Sequence, residues 1–209
     1  MDGILISSID SVERSWTKWA RMRGVDPRTA LMTAHGRRAI ETAALLRPDL
    51  DSEKELGVIE EIEMADGEGL ATLPGVRELL AALPAHRWTV VTSATERLAR
   101  VRMSRAGLPV PPSLITAESV KVGKPDPAPY RAGAALLGFA PEDCVVFEDA
   151  APGARAGRAA GCTVIATTFS HPAESLEAAH YLVEDVTGVT VKTLAGNEGM
   201  VLNFIPLAE

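Results

Sequence analysis

Strand and helix signals alternate through most of this 209-residue sequence, which predicts an α/β protein built on a mostly parallel sheet. Three observations carry that prediction. Short β-branched runs at 88–92 (WTVVT), 145–147 (VVF), 163–166 (TVIA) and 181–183 (YLV) are separated by stretches of helical composition. Hydroxyls or acids follow two of those runs directly, at the strand ends where open α/β sheets bind their ligands. Residues 9–73 carry almost no strand signal, which predicts a helical insert after a short first segment.

In order along the chain, residues 1–8 (MDGILISS) read as the end of a strand and the turn out of it. Trp16, Trp19, Ala20 and Met22 then fall near one helical stripe, with Glu13, Arg14, Lys18, Arg21 and Arg23 around it. Gly24 is a helix stop, and Asp26-Pro27 reads as the cap and first residue of the next helix. Residues 39–46 and 52–70 continue as helix. From Leu73-Pro74-Gly75 onward the expected elements are a helix over 76–83, a strand over 88–92, and a helix over 96–106 ended by Gly107. A short strand at 113–116 and a helix over 128–137 ended by Gly138 follow. The three remaining runs are strands, and Pro152 opens a small-residue helix that Gly161 closes. Residues 189–191 and 200–205 suit a hairpin across Gly196-Asn197. The division is thus a core of residues 1–8 and 74–209 carrying an insert of residues 9–73, long enough to act as a lid.

Composition narrows the function classes. With 46% hydrophobic and 23% charged residues the chain is an ordinary globular one. No apolar run approaches the roughly 20 residues of a membrane span, and the N-terminus shows no basic-then-apolar signal, so a cytoplasmic protein is expected. A net charge of −7 argues against a broad nucleic-acid or anionic-membrane surface. Cys144 and Cys162 lack metal-type spacing and read as small hydrophobes. A monomer is the expected state.

The stretch 145–161 (VVFEDAAPGARAGRAAG) is the most informative. Glu148 and Asp149 end a buried strand, where they suit a divalent cation and equally suit the positive end of the following helix. Ser93 is a hydroxyl directly after the 88–92 strand, where it also suits a helix N-cap. Lys124 lies in GKPDP (123–127), whose prolines keep the chain extended before a helix. Asp2 precedes a glycine turn.

Acid, hydroxyl, lysine and acid pair, in this order and each in a strand-to-helix loop, resemble the haloacid dehalogenase superfamily of phosphohydrolases. The segments GVDP (24–27), HGRR (35–38), WTVVTSAT (88–95), GKPDP (123–127) and FEDAAPGARAGRAAGC (147–162) look like its 2-deoxyglucose-6-phosphate and glycerol-phosphate phosphatases. The resemblance implies a Rossmann-like core with an inserted helical cap. It also implies Mg²⁺-dependent hydrolysis of a small phosphomonoester, a sugar or polyol phosphate, through an aspartyl-phosphate intermediate. Met1-Asp2-Gly3 matches the last three residues of the motif Asp-x-Asp-Gly. Asp2 is then the general acid/base and lends its backbone carbonyl to the cation. The nucleophile falls on the residue before Met1, and the first central strand is expected to be truncated. Reading Asp2 as nucleophile instead would put Ile4, which transfers no proton, in the acid/base position.

The other roles follow position by position. Ser93 and the Ala94 N–H, with Thr95 close by, would hold the phosphate. Lys124 would hold nucleophile and phosphate, Asp149 would ligate the cation directly, and Glu148 would act behind it. Arg38 is either a cap residue gripping the substrate or a solvated helix-start arginine. His35 shares that loop as a substrate contact or, more plainly, a capping or packing residue. Two other functions stay open: a sugar phosphomutase of the same fold, and an inactive truncated form or phosphate-ligand binder.

Overall fold

The computed structural model describes residues 1–194 and 199–207. Four helices follow the first residues: α1 (Ile9–Arg23), α2 (Pro27–Ala34), α3 (Ala39–Leu46) and α4 (Ser52–Ala65). Their boundaries follow local chemistry. Gly24 ends α1 in the left-handed region at φ 66°, a conformation that glycine adopts without strain. The Asp26 carboxylate accepts from the Thr29 N–H at 2.8 Å and so caps α2. These helices bury a core of their own, with Trp16 edge-on to Trp19 and Ala20, Ala30 and Ile59 around them. The buried Trp19 N–H donates to Glu55 at 2.8 Å, and Arg23 pairs with the same carboxylate oxygen at 2.6 Å. Met22 lies off this stripe and is exposed, because the buried face of α1 runs through Ser11, Ser15, Trp16, Trp19 and Ala20. Helix α4 stops at Ala65, short of the expected residue 70.

The α/β part contains β3 (Val145–Glu148), β4 (Thr163–Thr167) and β5 (Tyr181–Val183), parallel and in the order β3-β4-β5. Val146 lies opposite Val164 and Phe147 opposite Ile165. The crossover from β3 to β4 is α8 (Ala151–Ala160). A Cβ on Gly157 would come within 2.8 Å of the Val164 side chain, so glycine lets α8 sit directly on the sheet. Helices α5 (Val76–Ala82), α6 (Glu96–Arg105) and α7 (Ala128–Leu137) complete the part. Ile4, Ile6, Val76, Leu79, Val90 and Met103 share its larger core.

Several expected strands take another form. Residues 88–92 and 113–116 make a single parallel bridge, Val91 to Ile115, in place of two strands. The Thr92 N–H donates to Ile115 O at 2.8 Å and the Ile115 N–H to Val90 O at 2.9 Å. Among the described residues no ladder joins this pair to β3, so the pairing on which a regular strand depends exists on one side only. Residues 1–3 do not supply it: the N–H groups of Ile4, Leu5 and Ile6 turn back onto the Met1 carbonyl. The chain then forms β1 (Ile6–Ser7), antiparallel to β2 (Ala71–Thr72), the two connections into and out of the four-helix part. Near the end β6 (Thr190–Thr193) and β7 (Met200–Asn203) pair antiparallel; the expected turn at Gly196-Asn197 lies outside the described residues. Among the described residues no helix is long and apolar enough to cross a membrane.

Candidate active site

Lys124, Glu148, Asp149, Ser93 and Asp2 all leave loops at one end of the parallel part, and the Met1–Gly3 turn lies against them. Glu148 ends β3, buried, and its Oε1 accepts from Lys124 Nζ and from the Tyr130 hydroxyl, both at 2.5 Å. Its Oε2 accepts from the N–H groups of Asp149 at 2.9 Å and Ala150 at 3.2 Å. Burial pushes this carboxyl up, but the Lys124 charge and these bonds outweigh it and bring it down to about 2. Glu148 is therefore a fixed anion. A Cβ on Gly153 would fall 1.9 Å from Glu148 Oε1, so the first turn of α8 rests on the carboxylate only because residue 153 is glycine.

Asp149 has the opposite character. Its Oδ2 accepts from the Ser170 hydroxyl at 2.5 Å, and Ser170 also meets His171 Nδ1 at 2.9 Å. Burial and then the Glu148 charge raise the Asp149 carboxyl from 3.8 to about 7. A Cβ on Gly3 would fall 1.9 Å from Asp149 Oδ2, so the carboxylate lies in a cradle that the glycine opens beside Asp2. A buried carboxylate short of positive charge, next to a backbone turn, fits a hard divalent cation. The three side chains Asp2, Glu148 and Asp149 do not converge as a cluster of carboxylate ligands. Glu148 faces Lys124 and Asp2 faces Arg102, leaving Asp149 as the side chain turned to the cradle.

Asp2 Oδ2 pairs with Arg102 Nη1 at 3.1 Å, while its buried Oδ1 has no hydrogen-bond partner among the described residues. Burial raises the Asp2 carboxyl, but the Arg102 and Met1 charges overcome it, and the net shift is downward. Arg102, from α6, also reaches Glu63 of α4 at 3.3 Å. Burial leaves Glu63 raised despite that pairing.

The helix-capping role that sequence offered for Ser93 falls to Thr95. Thr95 is the N-cap of α6, accepting from the Leu98 N–H at 3.3 Å, and its hydroxyl donates to Glu60. Ser93 is free of that duty and donates to Gly36 O at 3.3 Å. The Ala94 N–H turns to the Thr92 hydroxyl at 3.2 Å. Above them the loop from α2 to α3 presses down. His35 stacks edge-on against His171, with ring centroids 5.3 Å apart, and burial followed by the His171 charge lowers its pKa. The five N–H donors of Arg38 go to Glu41 and to the carbonyls of Ala117, Val120 and Lys121. Arg38 is thus neither solvated nor turned to an open pocket. The cleft between the two parts, lined by Arg38, Ile40, Leu56, Glu60, Ser93 and Leu98 among others, measures only about 30 Å³.

Over residues 1–161 the chain matches the signature of the haloacid dehalogenase-like hydrolases. The protein belongs to that family. This haloacid dehalogenase-like hydrolase is 40% identical over 199 residues to hexitol phosphatase A of Escherichia coli K12, covering 91% of each chain. It is 33% identical over 217 residues to 2-deoxyglucose-6-phosphate phosphatase 2 of Saccharomyces cerevisiae, covering 91% of this chain and 87% of the yeast one. Among solved structures, CbbY from Rhodobacter sphaeroides in complex with phosphate superposes with a TM-score of 0.75 at 25% identity, over 90% of this chain and 92% of that one.

Tyr130, Ser170, Arg102 and Glu41 belong to this arrangement and were not singled out from sequence. Tyr130 lies six positions after Lys124 in a plain helical stretch, and Ser170 and Arg102 sit in segments with no motif of their own.

Proposed function

We propose that this chain is a phosphoric monoester hydrolase acting on a small sugar or polyol phosphate, with residues 9–73 serving as a cap over a core of residues 1–8 and 74–209. The observation that carries the reading is the contrast between the two adjacent acids at the end of β3. Glu148 is fully compensated by Lys124 and Tyr130, and Asp149 is left with excess charge at a cradle beside Asp2. That contrast is what a site needs if one acid orients a lysine and the other holds a cation. The nature of the relatives supports the substrate class.

Mg²⁺ would suit the donor set, and Asp149 and the Asp2 carbonyl are the protein groups that would hold it. When bound it supplies charge neutralisation at the transferring phosphoryl group. Lys124 holds the phosphoryl oxygens as a compact charge, oriented by Glu148 and Tyr130. Ser93 exchanges Gly36 O for a phosphate oxygen, and the Ala94 N–H assists. In the register of the family motif the nucleophilic Asp directly precedes Met1, and the phosphoryl group passes to it before water releases it. Asp2 is placed to transfer protons at the alcohol and water oxygens through Oδ1, the atom not bonded to Arg102. Because that pairing favours the ionised form, Asp2 takes up a proton before it acts as the acid and accepts one from the attacking water afterwards.

The cleft of about 30 Å³ is far below the ~300 Å³ of a small ligand pocket. The space beside Ser93 is therefore too small for a sugar phosphate as it stands, and in this reading the four-helix part moves to admit substrate on that side. The test is a panel of hexitol, hexose, glycerol and aromatic phosphates, assayed for released phosphate with and without Mg²⁺ using a form that carries the Asp before Met1. Metal-dependent release favouring the polyol or sugar phosphates supports the reading. Isomerised sugar phosphate without net release would favour a mutase.

A further inference from the structure

In this structure the Arg38 guanidinium is engaged with protein groups, whereas its sequence position suggests a substrate contact or a solvated helix start. It begins α3, yet three of its donors cross to the core segment that leads to Lys124: Nη1 reaches Ala117 O at 3.2 Å and Val120 O at 3.0 Å, and Nη2 reaches Lys121 O at 2.9 Å. Its remaining donors, Nε at 2.9 Å and the second Nη2 hydrogen, go to Glu41 Oε1. That same oxygen accepts from the Gly123 N–H at 3.3 Å, immediately before Lys124. The stem of Arg38 lies against Gly123 so closely that a Cβ there would fall 2.9 Å from Nε and 3.0 Å from Cγ. The Arg38 side chain is only 13% exposed. One guanidinium thus holds the Ala117 carbonyl and the first two carbonyls, Val120 and Lys121, of a stretch that no strand or helix holds between residues 120 and 127.

We infer that Arg38 and Glu41 form a positioning clamp, carried by the four-helix part, that sets the 117–124 segment and thereby places Lys124 only when that part is closed on the core. Neither side chain touches the substrate in this role. Opening the closed arrangement withdraws three bonds from the Arg38 guanidinium and one from the Gly123 N–H, so the lysine loop loses its support as the site opens to solvent. Closure and assembly of the charged site become one event. The inference rests on the reading of Lys124 as a phosphate-binding group.

Inorganic phosphate is the probe, because it lacks the alcohol part that a substrate-contacting arginine would recognise. Calorimetric titration in Mg²⁺ compares the unmodified protein with Arg38→Met, Glu41→Gln, Gly123→Ala and Lys124→Ala, and with Arg38→Met combined with Lys124→Ala. Thermal unfolding of each variant confirms that it is folded, and Glu41→Gln, being isosteric, serves if Arg38→Met is not. The clamp predicts that Arg38→Met, Glu41→Gln and Gly123→Ala each weaken phosphate binding by about tenfold, as misplacing a charged group does. It also predicts that Arg38→Met adds almost nothing once Lys124 is gone. The inference is overturned if Glu41→Gln and Gly123→Ala leave phosphate affinity unchanged, or if the Arg38 and Lys124 effects multiply. An unmodified protein that binds no phosphate, or binds it equally well as Lys124→Ala, overturns the site reading itself.

Discussion

Replacing Asp149 by Asn should make the metal-free protein more stable above neutral pH, at the cost of its proposed cation site. The structure sets the size of the effect. Burial, and next the neighbouring Glu148 charge, lift the Asp149 carboxyl from 3.8 to about 7. Between those two values the folded protein keeps a proton that the unfolded chain releases, so the stability associated with this group is present below pH 3.8 and is lost as pH rises through 7. A pKa difference of about three, at about 1.4 kcal/mol each, gives about 4 kcal/mol at full ionisation. That is an upper figure, because residual contacts in the denatured chain lower it. For a chain of this size it corresponds to roughly 8–16 °C in Tm. Asn keeps the shape of Asp, and its amide oxygen still accepts from Ser170. Urea unfolding of both proteins in EDTA at pH 5, 6, 7 and 8 should show a gap that widens with pH. Mg²⁺ should stabilise the Asp149 protein and narrow the gap, since a ligand of the folded state stabilises by mass action. A gap that does not change with pH, or a Mg²⁺ shift equal in both proteins, would refute the assignment of Asp149 as a buried, under-compensated carboxylate.

Three other perturbations test separate parts of the account. Lys124→Ala should lower phosphate release by on the order of 10²-fold or more in an Asp-preceded form, the usual loss on removing a preorganised charge; phosphate-release kinetics measure it. Arg102→Met leaves the buried Glu63 and the partly buried Asp2 without their cation and should cost about 3 kcal/mol, read from urea midpoints. Glu148, lowered from 4.5 to about 2 by Lys124 and its hydrogen bonds against the cost of burial, contributes stability above pH 4.5 that disappears as pH falls through 2. Acid unfolding followed by circular dichroism should therefore be shallower in Glu148→Gln.

Much of the fold was legible because it is written in local chemistry. Asp26-Pro27, Gly24, Gly138 and Gly161 mark helix ends that the structure places within a residue of expectation. The strand runs at 145–147, 163–166 and 181–183 are apolar, with Val146, Val164, Ile165, Ala166 and Val183 buried, and they became β3, β4 and β5. The runs at 88–92 and 113–116 have the same local character but reduce to one bridge, because strand formation depends on pairing that local sequence does not encode. At the site, Ser93, Lys124, Glu148 and Asp149 could be found because each sits beside a strand end or a glycine-proline pair. Tyr130, Ser170 and Arg102 could not, since only folding brings Tyr130 to Glu148, Ser170 to Asp149 and Arg102 to Asp2. Arg38 could be read only as a substrate contact or a solvated helix start, because its carbonyl partners lie about 80 positions away in sequence, and an arginine's position says nothing about which acceptors it meets.

The most direct measurement is phosphate release from a hexitol phosphate under identical Mg²⁺ by the 209-residue chain, by a form preceded by an apolar strand and Asp, and by that form with the added Asp changed to Asn. The account predicts Mg²⁺-dependent turnover in the Asp form, abolished by Asn and by Lys124→Ala. Robust turnover by the 209-residue chain that survives Lys124→Ala and is lost in Asp2→Asn would make Asp2 the nucleophile and contradict it.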